Sequence, residues 1–173
     1  MSLLQETQIT HCPRCGSASI IEFHNAVACR ACGYKLFINC AAATGCLAVR
    51  DGSLLMVVRK KDPGKGLLDL PGGFVDFGES LETGMRRELN EEIGLAPERL
   101  TYLTSGPNTY LYKDVLYHTV DCFFTAVMPV GIEPCAGDDA ESLTWVHLDD
   151  IDEEKIAFDS VKAAIRLYKE KYR

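Results

Sequence analysis

Residues 73–95 read GFVDFGESLETGMRRELNEEIGL, a segment in which Glu79, Glu82, Glu88, Glu91 and Glu92 are interleaved with Leu81, Met85, Leu89 and Ile93. Carboxylates at this density are hard oxygen donors. The chemistry open to them is general acid–base work, or capture of divalent cations that offset the charge of a phosphate. Spacing predicts a helix over 81–93: Ser80 is an N-cap, Glu82 sits in the first turn where the helix dipole favours an anion, and Gly94 is a left-handed C-cap. With Glu88 as origin and roughly 100° per residue, Leu81, Met85, Leu89 and Ile93 fall at about 20°, 60°, 100° and 140°. Glu92 falls at about 40° and Glu91 at about −60°, so Glu88 and Glu92 project from the edge of the buried stripe. An uncompensated buried carboxylate costs several kcal/mol, and like charges four residues apart repel. Arg87, at about −100°, can pair with Glu91 or fork to Glu79 but points away from Glu92. One arginine is too little, and Mg²⁺ or Mn²⁺ would complete the neutralisation while keeping coordination positions open for water and phosphate oxygens.

Gly73, Glu79, Arg87, Glu88, Glu91, Glu92 and Gly94 occupy every fixed position of the pattern GX5EX7REUXEEXGU, with Leu89 and Leu95 at its aliphatic positions. A chance match at a given start is on the order of 10⁻⁸. The segment resembles the Nudix box, whose family hydrolyses nucleoside diphosphates linked to another moiety. The resemblance implies catalytic roles for Glu79, Arg87, Glu88, Glu91 and Glu92. It assigns metal oxygens to Glu88, Glu91 and Glu92, with the Gly73 carbonyl as a further ligand, and an orienting role to Glu79 and Arg87. Family members differ in their general base. The candidates here are Glu88, Glu92, Asp139 and Glu141, the last two in AGDDAESLTW, a run that otherwise reads as a solvated loop; Glu141 is also a candidate substrate contact.

Upstream, Cys12 and Cys15, then Cys29 and Cys32, form two CxxC pairs, each followed directly by glycine. Four thiolates at this spacing make a tetrahedral Zn²⁺ site with no open position for chemistry, so the ion staples a module too small to bury a core. The module resembles a zinc ribbon, with a hairpin in SIIEFHNAVA turning near Asn25. A disulfide framework is the competing reading, disfavoured because MSLLQETQIT has neither the basic start nor the apolar centre of a secretory signal. Cys40, Cys46, Cys122 and Cys135 read mostly as small packed hydrophobes, and the four histidines as surface or core residues.

These sites need a frame. Asp51 and Gly52 predict a tight hairpin turn between TGCLAVR and SLLMVVRK; LTYLTS, VLYHTVDCFFTAVM and SLTWVHL read as strands; and DSVKAAIRLYKEKYR reads as a closing helix with Val161, Ile165, Tyr168 and Tyr172 along one side. The expectation is an α/β protein with the Nudix fold, a mixed β-sheet sandwiched between helices. A zinc ribbon would span residues 1–36 and a hydrolase domain residues 37–173. With 173 residues, 47% of them hydrophobic, the chain can bury one sizeable core. Its apolar runs fall short of the roughly 20 residues a membrane span needs, and the address expected is cytoplasmic. A formal charge of −7 argues against a general nucleic-acid or membrane-surface binder, and metal charge would reconcile it with an anionic nucleotide substrate.

A zinc ribbon ahead of a Nudix domain is similar to the NADH pyrophosphatases, which carry SQPWPFPxS downstream of the box. This chain has SGPNTYLY at Ser105–Tyr112, a departure that leaves NADH specificity open. Tyr110 and Tyr112 could stack on a base or nicotinamide ring, or pack in the core. Arg59 and Lys65 could meet terminal phosphates, or be solvated charges. The substrate expected is NADH, ADP-ribose or a similar compound. MutT-like cleavage of nucleoside triphosphates and a non-catalytic nucleotide-sensing regulator are the rivals. A homodimer is an expectation carried by the resemblance alone.

Overall fold

The computed structural model describes residues 2–95, 97–128, 131–137 and 140–172, the side chain of Ala140 excepted. The chain divides into two units, Met1–Cys40 with Thr109–His118, and Ala41–Asn108 with Thr119–Arg173.

In the first unit, helix α1 (Leu3–Thr7) is closed by a capping box: the Ser2 hydroxyl accepts from the Gln5 N–H and the Gln5 side chain returns to the Ser2 N–H. Strands β1 (Ile20–Phe23), β2 (Ala26–Cys29) and β3 (Lys35–Phe37) form an antiparallel sheet in the order β1-β2-β3. The expected hairpin turns at His24–Asn25, between the paired Phe23 and Ala26. Neither α1 nor β3 was anticipated, and β3 runs across the boundary expected after residue 36 because Phe37 pairs with Ala26. Among the described residues of this unit only Cys12, Ala26, Val27 and Cys29 are buried, which is far too little apolar surface to hold it without a staple.

The second unit opens on β4 (Ala41–Arg50) and β5 (Ser53–Arg59), joined through Asp51 and Gly52 at φ 49° and 73°, the left-handed pair that such a turn demands. There follow β6 (Leu68–Asp69), β7 (Gly72–Phe74), α2 (Leu81–Ile93), β8 (Thr101–Tyr112), β9 (Val115–Val127), β10 (Ala140–His147) and α3 (Asp159–Tyr172). The seven-stranded sheet has the order β10-β5-β4-β9-β8, with β6 on β5 and β7 on β4. It is mixed, because β4 and β9 run parallel from Ala41↔Thr119 to Val49↔Val127 while β5 and β7 pair β4 in the opposite sense. Strand β4 is buried from Thr44 to Ala48 and splits its side chains between two cores. Cys46 and Ala48 pack with Met85, Leu89 and Ile93 of α2; Leu47 packs with Val161, Ala164 and Ile165 of α3. The sheet therefore lies between the two helices, as expected.

Strand β8 does not stop near Ser105 but runs on to Tyr112, where Lys113 and Asp114, at φ 47° and 65°, turn the chain into β9. Gly106 and Pro107 read as breakers in the sequence. At the sheet's edge, however, a proline's missing N–H need not cost a ladder bond. Among the described residues no helix is long and apolar enough to cross a membrane.

Candidate active site

Helix α2 is built as its sequence dictates. The Ser80 hydroxyl accepts from the Thr83 N–H at the N-terminus, Gly94 adopts φ 68° at the C-terminus, and Met85, Leu89 and Ile93 are fully buried against the sheet. On the edge of that buried face lie Glu88 and Glu92, both partly buried, while Glu91 is exposed. The helix sets Glu88 and Glu92 against β7, at Gly73 and Gly72.

Arg87 is the hub of the cluster, and each of its five N–H groups has an acceptor. Nε and Nη2 fork onto Glu79 at 2.9 and 3.0 Å, Nη1 serves Glu88 at 2.7 Å and Glu91 at 3.1 Å, and Nη2 also reaches the Phe74 carbonyl at 2.9 Å. Asp76 stands 3.8 Å from Nε, and its N–H donates to Glu79 at 3.0 Å. The anticipated pairing of Arg87 with Glu79 and Glu91 is thus present, together with an unanticipated bond to Glu88. Glu92 turns the other way, its Oε2 accepting from the Gly72 N–H at 2.8 Å. One guanidinium therefore faces four carboxylates, with a fifth on the same helix held by a neutral amide. Burial raises the proton affinity of Glu88, against the pull of Arg87. The hydrogen bonds from Arg87, aided by the Asp76 amide, hold Glu79 below the usual carboxylate range.

Two glycines let β7 pack closely, Gly73 against the helix and Gly72 against β4. A Cβ on Gly73 would lie 2.7 Å from the Glu88 carboxylate, and one on Gly72 would lie 2.1 Å from the Thr44 carbonyl, at a φ of 149° that other residues rarely adopt. Thr44, buried on β4, donates its hydroxyl to the Gly73 carbonyl at 3.5 Å. Gly72, Thr44 and the Phe74 carbonyl are contributors that sequence reasoning missed. Two of them act through backbone atoms, which carry no residue-type signal. By donor type these groups suit a hard divalent cation, but Glu88 and Glu91 turn to Arg87 and Glu92 to the Gly72 N–H, so that among the described residues only the four cysteines gather as a ready-made metal cluster.

The other expected contacts are more dispersed. Arg59, on β5, has partners in its own unit: Nη1 pairs with Asp69 at 2.7 Å, Nε donates to the Pro63 carbonyl at 2.8 Å, and the guanidinium lies 4.8 Å from the Phe158 ring centroid. Burial pushes the Asp69 carboxyl up to about 6, with Arg59 opposing. Lys65 is exposed. Tyr110 and Tyr112 belong to the first unit, their ring centroids 6.5 Å apart, with Tyr112 exposed. Glu141 is exposed on β10 where the register with β5 shifts between Ala140 and Ser142, a kink of the sort that re-aims a side chain. Asp139 lies outside the described residues.

In the first unit the Sγ atoms of Cys12, Cys15, Cys29 and Cys32 lie within 4.8 Å of one another. Cys12 to Cys32 and Cys15 to Cys29 are each 3.7 Å apart. Tetrahedral Zn²⁺ with Zn–S bonds of about 2.3 Å would set neighbouring sulfurs about 3.8 Å apart. The two loops are built alike. Gly16 and Gly33, at φ 72° and 73°, donate to the carbonyls of Cys12 and Cys29 at 2.9 Å, and the Cys12 and Cys29 N–H groups bond Ser17 and Tyr34 at 2.8 Å. The four thiols fit zinc.

Comparison with known proteins converges on the box-bearing unit. A model of the NUDIX domain matches residues 40–167. An ADP-ribose pyrophosphatase from Methanocaldococcus jannaschii is 35% identical over 131 residues, covering 75% of this chain and 73% of that protein. A NAD-capped RNA hydrolase NudC from Haemophilus influenzae is 32% identical over 101 residues, covering 56% of this chain but only 38% of its relative. Among solved structures, a MutT NUDIX hydrolase from Burkholderia pseudomallei superposes with a TM-score of 0.65 at 31% identity, over 75% of this chain and 98% of that one. Hydrolases of this family typically require a divalent metal such as Mg²⁺ or Mn²⁺, the kind of ion that the acids of α2 would accept. With the match extending over most of its length and the glutamate-bearing helix at its centre, this chain belongs to the Nudix hydrolase family.

Proposed function

We propose that the protein is a divalent-cation-dependent pyrophosphohydrolase that cleaves a nucleoside diphosphate linked to a further group, with ADP-ribose or NADH as the substrate class. One observation carries this reading: a single guanidinium is shared among Glu79, Glu88, Glu91 and Asp76, a negative surplus that added cations would offset. Glu88, Glu91, Glu92 and the Gly73 carbonyl would hold Mg²⁺ or Mn²⁺. When bound, such ions cancel the charge of a pyrophosphate and favour a water nucleophile. The chain's own residues then have distinct tasks. Arg87 and Glu79 tie α2 to the loop after β7, and the Gly72 N–H fixes the Glu92 carboxylate. Proton acceptance from the attacking water falls to Glu88 or Glu92 on the helix, or to Asp139 or Glu141 near β10.

Preference for a diphosphate with a second moiety is supported by the relative named ADP-ribose pyrophosphatase, which this chain matches over 131 residues. Arg59, paired with Asp69 through Nη1, is a further candidate for a substrate phosphate. Cys12, Cys15, Cys29 and Cys32 would hold Zn²⁺ as a structural ion, which suits a cytoplasmic, reducing location. The test is a panel of nucleoside-diphosphate derivatives and nucleoside triphosphates with Mg²⁺ or Mn²⁺, resolved by product chromatography. A nucleoside monophosphate plus a phosphorylated second moiety supports the reading. Inorganic pyrophosphate released from triphosphates transfers the protein to MutT-like chemistry, and absence of turnover on every compound refutes an enzymatic role.

A further inference from the structure

The C-terminal end of α2 is closed by backbone from a distant part of the chain. The last four carbonyls of an α-helix have no partner within the helix. Here the Asn90 carbonyl receives the Gly94 N–H at 3.1 Å, the Glu92 carbonyl receives the Gly137 N–H at 2.8 Å, and the Ile93 carbonyl receives the Cys135 N–H at 3.1 Å. The approach is so close that a Cβ on Gly137 would lie 2.0 Å from the Glu91 carbonyl oxygen and 3.1 Å from the Glu92 Cα. Both are backbone atoms of a helix and cannot rotate aside. Gly137 is not among the glycines with positive φ, so space rather than conformation demands a glycine there.

Glu92 is consequently held at both ends. Its carboxylate is fixed by the Gly72 N–H at 2.8 Å and its carbonyl by the Gly137 N–H at 2.8 Å. The neighbouring Glu91 carbonyl oxygen lies where the Gly137 side chain would otherwise be. We infer that Gly137 is a positioning residue for cation binding: by docking segment 135–137 on the last turn of α2, it sets where Glu91 and Glu92 stand relative to Gly72 and Gly73. A side chain at 137 would force the segment off the helix or tilt that last turn, and either change moves carboxylates that must converge on one ion. The inference rests on the reading of α2 as a cation site.

The experiment titrates the full, zinc-loaded chain with Mn²⁺, following the electron paramagnetic resonance signal of free Mn²⁺, for the wild type, Gly137→Ala and, as a neighbour with an exposed side chain, Ala136→Ser. Gly137→Ala should weaken Mn²⁺ binding at least ~10-fold and lower kcat at least ~10-fold with KM within ~3-fold, as a displacement near 1 Å in a site does. Ala136→Ser should match the wild type. Wild-type Mn²⁺ affinity and kcat in Gly137→Ala would overturn the inference and leave the cation reading standing. No Mn²⁺ binding by the wild type would overturn both. Should Gly137→Ala fail to fold, amide hydrogen exchange of the wild type decides: protection of the Gly137 amide matching that of the last turn of α2, and rising with Mn²⁺, supports the inference, whereas exchange as free as at Gly131 overturns it.

Discussion

Glu88→Gln separates charge from shape at the centre of the site. Glutamine keeps the volume of a side chain that is only 14% exposed, and its Oε1 can still accept from Arg87 Nη1. What disappears is one negative charge and an ionisable group whose proton affinity is raised by burial. The sign follows from linkage. A carboxylate with a raised folded-state pKa contributes stability below its unfolded pKa and loses it as pH rises through the folded one. At neutral pH without added divalent cation, an ionised Glu88 therefore works against the fold, and Glu88→Gln should be at least as stable as the wild type. Turnover should move the other way. Loss of a charged ligand should lower kcat/KM at least ~100-fold, which corresponds to about 2.7 kcal/mol of transition-state stabilisation. Urea unfolding at pH 5 and pH 8 without added Mg²⁺, paired with Mg²⁺-supported turnover, reads both quantities. Near-normal turnover would refute the assignment of Glu88. A variant less stable than the wild type at pH 8 would refute the electrostatic account of its burial.

Three further outcomes are expected. Arg59→Met leaves Asp69 buried without its ion pair and should cost about 3–5 kcal/mol in urea, more at pH 8 than at pH 5 where Asp69 can protonate, while kcat of the folded fraction changes less than ~3-fold; a large rise in KM at unchanged stability would instead give Arg59 to the substrate. Gly73→Ala drives a Cβ to 2.7 Å from the Glu88 carboxylate and should lower kcat at least ~10-fold with a melting temperature close to that of the wild type, checked by steady-state kinetics and calorimetry. Cys29→Ser removes a buried sulfur from the four-thiol cluster and should abolish stoichiometric zinc in metal analysis and expose residues 1–40 to proteolysis; a protease-resistant first unit without zinc would refute the staple.

Legibility in the sequence tracks how local each cause is. Helix α2 was readable to the residue at both ends, because its caps, Ser80 and Gly94, and its apolar stripe all lie within the segment they define. The hairpin at Asp51–Gly52 and the paired CxxC loops were readable for the same reason. Strand β8 was cut short because Gly106 and Pro107 signal a break, and only its place at the sheet edge, a property of the whole topology, makes them tolerable. Strand β3 is three residues whose only evidence is a partner in β2, and α1 is five residues whose one signal is the Ser2 and Gln5 spacing. The acceptors of Arg59, Asp69 and the Pro63 carbonyl, were not readable because they come to it only when β6 pairs with β5 and the loop between them closes.

The same distinction explains why the acids were identifiable while their supports were not. A carboxylate announces itself by residue type, but the groups that aim these carboxylates are the Gly72 N–H, the Phe74 carbonyl and the Gly73 Cα, which every chain possesses and only folding places. Arg87 shows the cost of that arrangement. Its bonds to Glu79 and Phe74 tie helix to loop, whereas its remaining Nη1 is divided between Glu88 and Glu91, two groups that need more positive charge than one nitrogen carries. Replacing the acids with neutral residues would relieve the repulsion and strengthen the helix. Positive charge supplied from outside the chain would offset that repulsion, which is the physical case for the proposed cation site.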